Sequence, residues 1–113
     1  MVYEPHVEIS LSGAEALGLA DHYHGHEGWR QFYADFVQSF TDLRYAVKRV
    51  LDAGDRVVFE FDVHGKGKVS GADVVLRVDT AVRLSARGKI ERQDLFWQGT
   101  WEDAMEAAGL ATS

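Results

Sequence analysis

Apolar residues recur at helical spacing in one segment of this chain, which runs from Trp29 to Phe40. The stripe follows positions i, i+3, i+4, i+7, i+8 and i+11, and it consists of Trp29, Phe32, Tyr33, Phe36, Val37 and Phe40. That spacing is typical of an amphipathic helix with one buried face. Gly25 or His26 is expected to cap this helix, which should end near residues 40–42. Because most of the stripe is aromatic, the helix can wall a pocket as well as a core.

The rest of the chain mostly alternates apolar and polar residues, which is the pattern of half-buried β-strands. Strands are predicted within residues 2–11 and over residues 43–51, 56–64, 73–84 and 90–97. Segment 13–25 carries three glycines and is expected to be a loop. Thr100 and Asp103 have the spacing of a capping box, so a short helix should run from Trp101 to Ala108 and end at Gly109.

The order of these elements predicts a single α+β domain over residues 1–113, in which a curved antiparallel sheet packs against the aromatic-faced helix. A helix lying across a curved sheet makes a cone, and a cone can hold a small molecule. We expect Trp29, Phe32, Phe36 and Phe40 to pack onto Phe59, Phe61, Val78 and Val82. The residues predicted to line the pocket are Tyr23, Trp29, Phe32, Phe36, Phe59, Phe61, Val78, Thr80, Val82 and Trp97.

Composition excludes several classes of function. The chain has 113 residues, 46% of them apolar and 27% charged, which is ordinary for one soluble globular domain with a single core. Its net charge of −6 argues against partners such as nucleic acid and anionic membrane surfaces, which attract basic proteins. The absence of cysteine excludes disulfides and thiolate chemistry. No signal peptide or apolar spanning segment is apparent, so a cytoplasmic location is expected.

Several local motifs occur together in a recognisable order. They are Val7-Glu8, Tyr23-His24-Gly25, Ala53-Gly54-Asp55-Arg56-Val57-Val58, Gly65-Lys66-Gly67-Lys68, Gly88-Lys89-Ile90 and the tail Glu102–Leu110. In this order and spacing the chain resembles the nuclear-transport-factor-2-like superfamily, and especially its SnoaL-like branch, over nearly its whole length. The resemblance implies a cone fold but no particular reaction, because the superfamily includes ketosteroid isomerase, polyketide cyclases, limonene epoxide hydrolase and non-catalytic binding proteins.

The resemblance also implies an uncovered surface. Members of the superfamily usually have about two helices before the strand that matches Val7–Leu11, whereas this chain begins just before that strand. Because those helices close part of the cone, apolar surface should be exposed here. Monomers rarely expose large apolar patches, so a homodimer, the commonest closed symmetry, is expected.

Two reactions of the superfamily can be compared with this chain position by position. Ketosteroid isomerase needs a carboxylate base and a protonated aspartate, and the matching positions hold Ile9 and Thr80. Isoleucine cannot accept a proton, so that mechanism is not expected, although Thr80 could offer a ligand its hydroxyl. The Asp-Arg-Asp arrangement of limonene epoxide hydrolase is matched only by Asp62. Glu60 replaces the arginine, and the second aspartate falls one residue from Asp94, which would point to the other face of a strand.

Asp62 and Asp94 are therefore the catalytic candidates if the domain is an acid/base enzyme of the cyclase, isomerase or epoxide-hydrolase type. The competing interpretation is a solvated outer face with cross-strand charge pairs. That face would be formed by Glu60, Asp62, His64, Arg77, Asp79 and Arg83.

The remaining expectations concern ligands. His22, His24 and His26 alternate on the predicted loop, but a zinc site needs three or four converging ligands, so neither a metal nor another cofactor is predicted. The sequence predicts a SnoaL-like domain that binds a small apolar or amphipathic molecule. An acid/base enzyme and a non-catalytic dimerisation domain remain the alternatives.

Overall fold

Residues 2–110, the part of the chain that the computed structural model describes, form six strands and two helices. The strands are β1 (Tyr3–Ser12), β2 (His22–His24), β3 (Phe40–Asp52), β4 (Arg56–Gly67), β5 (Asp73–Leu84) and β6 (Ile90–Trp97). The helices are α1 (Gly25–Val37) and α2 (Trp101–Ala107), and a single 3₁₀ turn covers Glu15–Leu17. All six strands belong to one curved sheet in the spatial order β2-β1-β6-β5-β4-β3.

The sheet is mixed, which corrects the expectation of a wholly antiparallel sheet. β3 to β6 pair antiparallel in sequence order, as predicted, but β1 lies parallel to β6, with Leu11 opposite Leu95. β2 pairs antiparallel with β1 and lies within the segment that was expected to be a loop. Its central residue, Tyr23, stands opposite Ile9 and is buried, so an apolar contact with a distant strand fixes this short segment in the sheet.

Helix α1 begins and ends earlier than predicted. Its N-cap is His24, and the helix stops at Val37, so Phe40 starts β3. The ring of Phe40 nevertheless packs on Phe36 with 5.5 Å between centroids. An apolar residue four positions beyond Phe36 can reach the same core from an extended backbone, and helical spacing alone therefore overestimates the length of the helix.

Helix α2 has the predicted capping box. The Thr100 hydroxyl accepts a hydrogen bond from the Asp103 N–H at 3.1 Å, and the Asp103 carboxylate accepts one from the Thr100 N–H at 3.0 Å. Gly109 follows the helix at φ 72°, a conformation in which glycine has no steric penalty. α2 packs through Trp101, Ala104 and Met105 onto Val58, on the side of the sheet that we call the outer face.

The other side, the inner face, carries α1 and most of the apolar core. α1 lies mainly over β1 and β2 and meets β3 where Phe36 packs on Phe40. The helix therefore covers the inner face unevenly, because β3 and β4 lie at the opposite edge of the sheet from β1 and β2. Neither helix in the described residues has both the length and the apolar character needed to cross a bilayer.

Candidate functional site

The predicted pocket residues meet on the inner face. The buried members of the set are Tyr23, Phe36, Val78, Thr80, Val82 and Trp97. The half-buried members are Trp29, Phe32, Phe59 and Phe61. The buried group forms a closely packed core, in which the ring centroid of Phe36 lies 5.3 Å from that of Trp97. The half-buried ring of Phe32 packs on this core, with its centroid 6.4 Å from that of Phe36. Only the half-buried group offers surface to a ligand without displacing other side chains.

An apolar surface continues beyond that core onto β3. Val47 and Val50 stand opposite Phe61 and Phe59 on β4, and the ring of Tyr45 lies 6.3 Å from that of Phe61. Tyr45, Val47 and Val50 are 55%, 62% and 59% exposed. We call the surface formed by Tyr45, Val47, Val50, Phe59 and Phe61 the open inner face. Contiguous exposed apolar surface of this kind is characteristic of a binding site.

The sequence pattern had identified Phe59 and Phe61 but not their three neighbours on β3. The alternation of Tyr45 and Val47 predicts a strand, but it does not predict that both residues are exposed, because their exposure depends on where α1 lies. Strict alternation from Val47 does not place Val50 on the inner face. A β-bulge between Val47 and Arg49 shifts the alternation by one residue and turns Val50 to that face.

Polar groups on the inner face differ in whether they are already bonded. The Thr80 hydroxyl, expected to be available to a ligand, donates to the backbone oxygen of Asp94 at 2.8 Å. The Tyr3 hydroxyl donates to Gln93 Oε1 at 2.8 Å. Trp97 Nε1, by contrast, is buried and has no hydrogen-bond partner within residues 2–110. An unpaired buried donor costs about 1–3 kcal/mol, so Trp97 is the inner-face group with most to gain from a ligand acceptor.

Both predicted catalytic carboxylates lie on the outer face. Asp62 stands opposite Arg77, with its Oδ2 atom 3.7 Å from Lys48 Nζ. The Asp94 carboxylate accepts two hydrogen bonds from Arg92, each 3.1 Å long. The structure therefore separates these carboxylates from the aromatic pocket residues by the thickness of the sheet, because neighbouring residues on a strand point to opposite faces. Their ion pairs agree with the alternative interpretation of a charged outer face.

Asp79 departs from that interpretation, because it was expected in solvent and is fully buried. It lies on the central part of β5 between Glu60 of β4 and Phe96 of β6. Its Oδ2 atom accepts a hydrogen bond from Arg77 at 3.2 Å, while Oδ1 has no partner within the described residues. Burial raises the pKa of Asp79 above its ordinary value, against the opposing effect of Arg77.

We expect Asp79→Asn to increase the free energy of unfolding at pH 7 by about 1 kcal/mol, because the amide keeps the shape without a buried charge. A raised folded-state pKa means that the protonated carboxyl stabilises the fold below the unfolded pKa, and that this contribution is lost as pH rises through the folded pKa. The gain should therefore shrink as pH falls. Urea unfolding at pH 7, 5 and 3 measures it, with Asp62→Asn as the control, because the Asp62 side chain is 22% exposed and not fully buried. A variant less stable than the parent at pH 7 would contradict the assignment.

The three alternating histidines are engaged separately. His22 Nε2 and His24 Nδ1 each lie 2.6 Å from a carboxylate oxygen of Glu8, while His26 Nε2 lies 3.0 Å from the backbone oxygen of Tyr3. The contacts to Glu8 tie β2 to β1. Across residues 2–110, no three side chains of the types that ligate metals converge on one point.

Comparison with known proteins identifies the family and the structures that share this fold. The family model of the SnoaL-like domain matches residues 2–93, and a comparison with curated proteins found no match. Many solved structures share the fold, and three of them illustrate it. TerC, co-crystallised with polyporic acid, is 22% identical with a TM-score of 0.73, and the match covers 94% of this chain and 78% of TerC.

The second is the structure of a protein from Jannaschia sp. CCS1 described as a SnoaL-like polyketide cyclase. It is 20% identical to this chain with a TM-score of 0.72, and the match covers 99% of this chain and 76% of that chain. The third, from Catenulispora acidiphila DSM 44928, has a ketosteroid isomerase-like fold and was solved with trimethylamine; it is 14% identical, with 97% and 78% covered and a TM-score of 0.70. At these identities the structures establish the fold alone. Since the family model spans most of the chain and the sheet and helices agree with it, this chain belongs to the SnoaL-like domain family.

Proposed function

We propose that this domain binds a small apolar or amphipathic molecule on the open inner face. The observation that carries the proposal is the row of exposed side chains Tyr45, Val47 and Val50 beside the half-buried rings of Phe59 and Phe61. Covering apolar surface is favourable by roughly 25 cal/mol per Å², so a flat apolar molecule gains binding energy from each of these side chains.

Polar groups at the edges of this surface suit an amphipathic molecule. Partial burial and, to a lesser extent, Tyr33 raise the pKa of Tyr45, so the Tyr45 hydroxyl stays protonated and can donate a hydrogen bond at neutral pH. On the core side, Trp97 Nε1 is a donor without a protein partner within the described residues. A ligand with oxygen acceptors could therefore bond to hydroxyls at the rim and, after movement of the covering rings, to Trp97.

The structural neighbours support binding of small molecules by this fold. TerC was crystallised with polyporic acid and the Catenulispora acidiphila protein with trimethylamine. Acid/base catalysis by Asp62 or Asp94 stays a prediction from the sequence. It would need a substrate on the outer face, where both carboxylates lie, and not on the open inner face.

A pair of matched variants tests the binding surface. Val47 on the inner face and Val75 on the outer face are exposed to similar extents, 62% and 55%, and both lie on strands. Lysine at position 47 would put a charge against the bound apolar molecule, so we expect Val47→Lys to weaken binding at least tenfold and Val75→Lys to change it less than twofold. The uncharged dye Nile red is the first probe, because it cannot form an ion pair with the new lysine, and its displacement by polyporic acid is measured next.

Equal binding by the two variants would contradict the proposal, whether both keep or both lose the dye. Failure of polyporic acid to displace a dye that binds normally would exclude only that class of ligand. The folded state of each variant is checked by its urea unfolding midpoint, because a misfolded variant also exposes apolar surface to the dye.

We also propose that the chain forms a homodimer through the β3 side of the open inner face, since a second copy there would shield Tyr45, Val47 and Val50 from water and enclose the small molecule between the two copies. Sedimentation velocity at micromolar concentration should show dimers for the parent and Val75→Lys and monomers for Val47→Lys. A parent protein that sediments only as a monomer would rule out the dimer and leave the small-molecule proposal to the dye experiment.

A further inference from the structure

Three arginines lie side by side on the outer face. Arg56 of β4 stands directly opposite Arg83 of β5, and Arg83 stands directly opposite Arg92 of β6. We call these three residues the arginine row. Like charges in directly opposed positions of an antiparallel pair repel one another, so the row carries an energetic cost that something must offset. It also stands out because the chain as a whole has a net charge of −6.

The protein offsets this repulsion only in part. Arg56 Nη1 donates to the backbone oxygen of Ala108 at 2.9 Å, and Arg83 Nε lies 2.8 Å from Glu91. Arg92 donates two hydrogen bonds to Asp94. A guanidinium has five N–H donors, so these contacts use a minority of those that the row provides. The side chains of Arg83 and Arg92 are 54% and 48% exposed and can therefore be reached from solvent.

The row borders a hollow of about 200 Å³ between the sheet and the end of α2. Ala81 and Val82 contribute to its floor, the three arginines and Asp94 line its sheet side, and the segment Glu106–Gly109 forms the opposite wall. The small Ala81 side chain, flanked by Val58 and Asp94 on the neighbouring strands, leaves room there. Since a water molecule occupies about 30 Å³ of liquid volume, the hollow would hold about seven waters or one small polar molecule.

We propose that this hollow binds a small oxyanion, namely a carboxylate or phosphate group on a compact molecule. Guanidinium groups present paired N–H donors that match the two oxygens of a carboxylate or phosphate, and such charge-assisted bonds are stronger than neutral ones. Of the two carboxylates in the lining, Asp94 is already neutralised by Arg92, and Glu106 is exposed on α2. Arg83 is paired with Glu91, whereas Arg56 bonds to a backbone oxygen and has no carboxylate partner within residues 2–110. Arg56 therefore supplies the positive charge that no carboxylate offsets, and both arginines keep unused N–H donors for the anion. The site lies on the opposite face from the open inner face and does not depend on the function proposed there.

Helix capping explains part of this arrangement but not all of it. α2 has no basic residue in its last turn, and Arg56 provides the missing positive charge by bonding to Ala108. Gly109 permits this approach, because a Cβ atom there would lie 2.9 Å from Arg56 Nη1. Capping requires only Arg56, whereas Arg83 and Arg92 have no hydrogen bond to α2 among those found in residues 2–110. Arg83 is therefore the residue that separates an anion site from a helix cap.

Backbone NMR of the ¹⁵N-labelled chain provides a local test. We expect the amide signals of Ala81 and Gly109 to shift saturably on addition of inorganic phosphate or succinate, beyond the shift produced by chloride at the same ionic strength. Arg83→Gln should weaken binding at least tenfold. Arg44→Gln removes the same charge from an exposed outer-face position on β3, away from the hollow, and should change binding less than twofold. Arg83→Lys, which keeps the charge but not the paired donors, should fall between them.

The outcomes separate the possible ligands. Saturation by phosphate alone assigns a phosphate group, saturation by succinate alone assigns a carboxylate, and both together support the general oxyanion site. Shifts no larger than those with chloride would overturn the proposal, as would equal weakening by Arg83→Gln and Arg44→Gln. An unchanged backbone spectrum of Arg83→Gln outside the hollow shows that the loss of its contact with Glu91 has not disturbed the fold.

Discussion

Replacement of Gly13 by alanine is expected to lower the free energy of unfolding by about 3 kcal/mol or more. The cost has two parts. Gly13 has φ 78°, and placing a residue with a Cβ atom in that left-handed region costs about 1–2 kcal/mol. The added Cβ would also lie 2.6 Å from the backbone oxygen of Trp97, where neither atom can move without shifting a chain segment next to β1 or β6.

Gly88 provides the matched control. It has φ 73°, but a Cβ atom there would meet nothing within 4 Å, so Gly88→Ala should cost only the conformational term of about 1–2 kcal/mol. Urea unfolding of both variants measures the difference. Equal losses would show that the close approach between Gly13 and Trp97 does not constrain the fold.

Replacement of Phe36 by alanine is expected to cost about 3–5 kcal/mol, the usual range for removing a fully buried aromatic side chain. Phe36 is 4% exposed, and its ring packs against Phe32, Phe40 and Trp97. It therefore links α1 to both β3 and β6, and the cavity left by alanine would lie at the junction of the three elements.

Tyr33, which lies on the same helix and is 49% exposed, is the control for the loss of an aromatic residue from α1. Tyr33→Ala should cost less than about 1 kcal/mol, because about half of the Tyr33 surface already lies in water and no enclosed cavity would be left. Denaturant unfolding followed by circular dichroism measures both. A cost below about 1 kcal/mol for Phe36→Ala would show that this helix face is not the core.

The two faces of the sheet explain why the candidate chemistry divides as it does. Ile9 and Thr80 are fully buried on the inner face, where ketosteroid isomerase would require carboxyl groups. Asp62 and Asp94 lie among arginine and lysine side chains on the outer face. Strand alternation alone separates Asp62 from Phe61, since adjacent residues on a strand cannot share a face. Acid/base catalysis by either aspartate therefore stays a prediction, and it would need a substrate on the outer face.

The sequence alone determined the features that depend on near neighbours in the chain. Strand alternation located β5 and β6 at their observed limits, and the Thr100–Asp103 spacing predicted the cap that the structure contains. The local motifs indicated the SnoaL-like family, and the model of that family matches residues 2–93. These features could be predicted because hydrogen bonds within a turn or cap, and the facing of side chains along a strand, are fixed by residues a few positions apart.

Features that depend on which distant residues become neighbours could be read only from the tertiary structure. The parallel pairing of β1 with β6, the burial of Asp79 and the opposition of Arg56, Arg83 and Arg92 all follow from strand order and register. The position of α1 over β1 and β2, which leaves Tyr45 exposed, is likewise a packing choice between elements. The periodicity of a single segment does not predict strand pairing or helix packing. Both depend on the free energy of contacts between segments that lie far apart in the sequence.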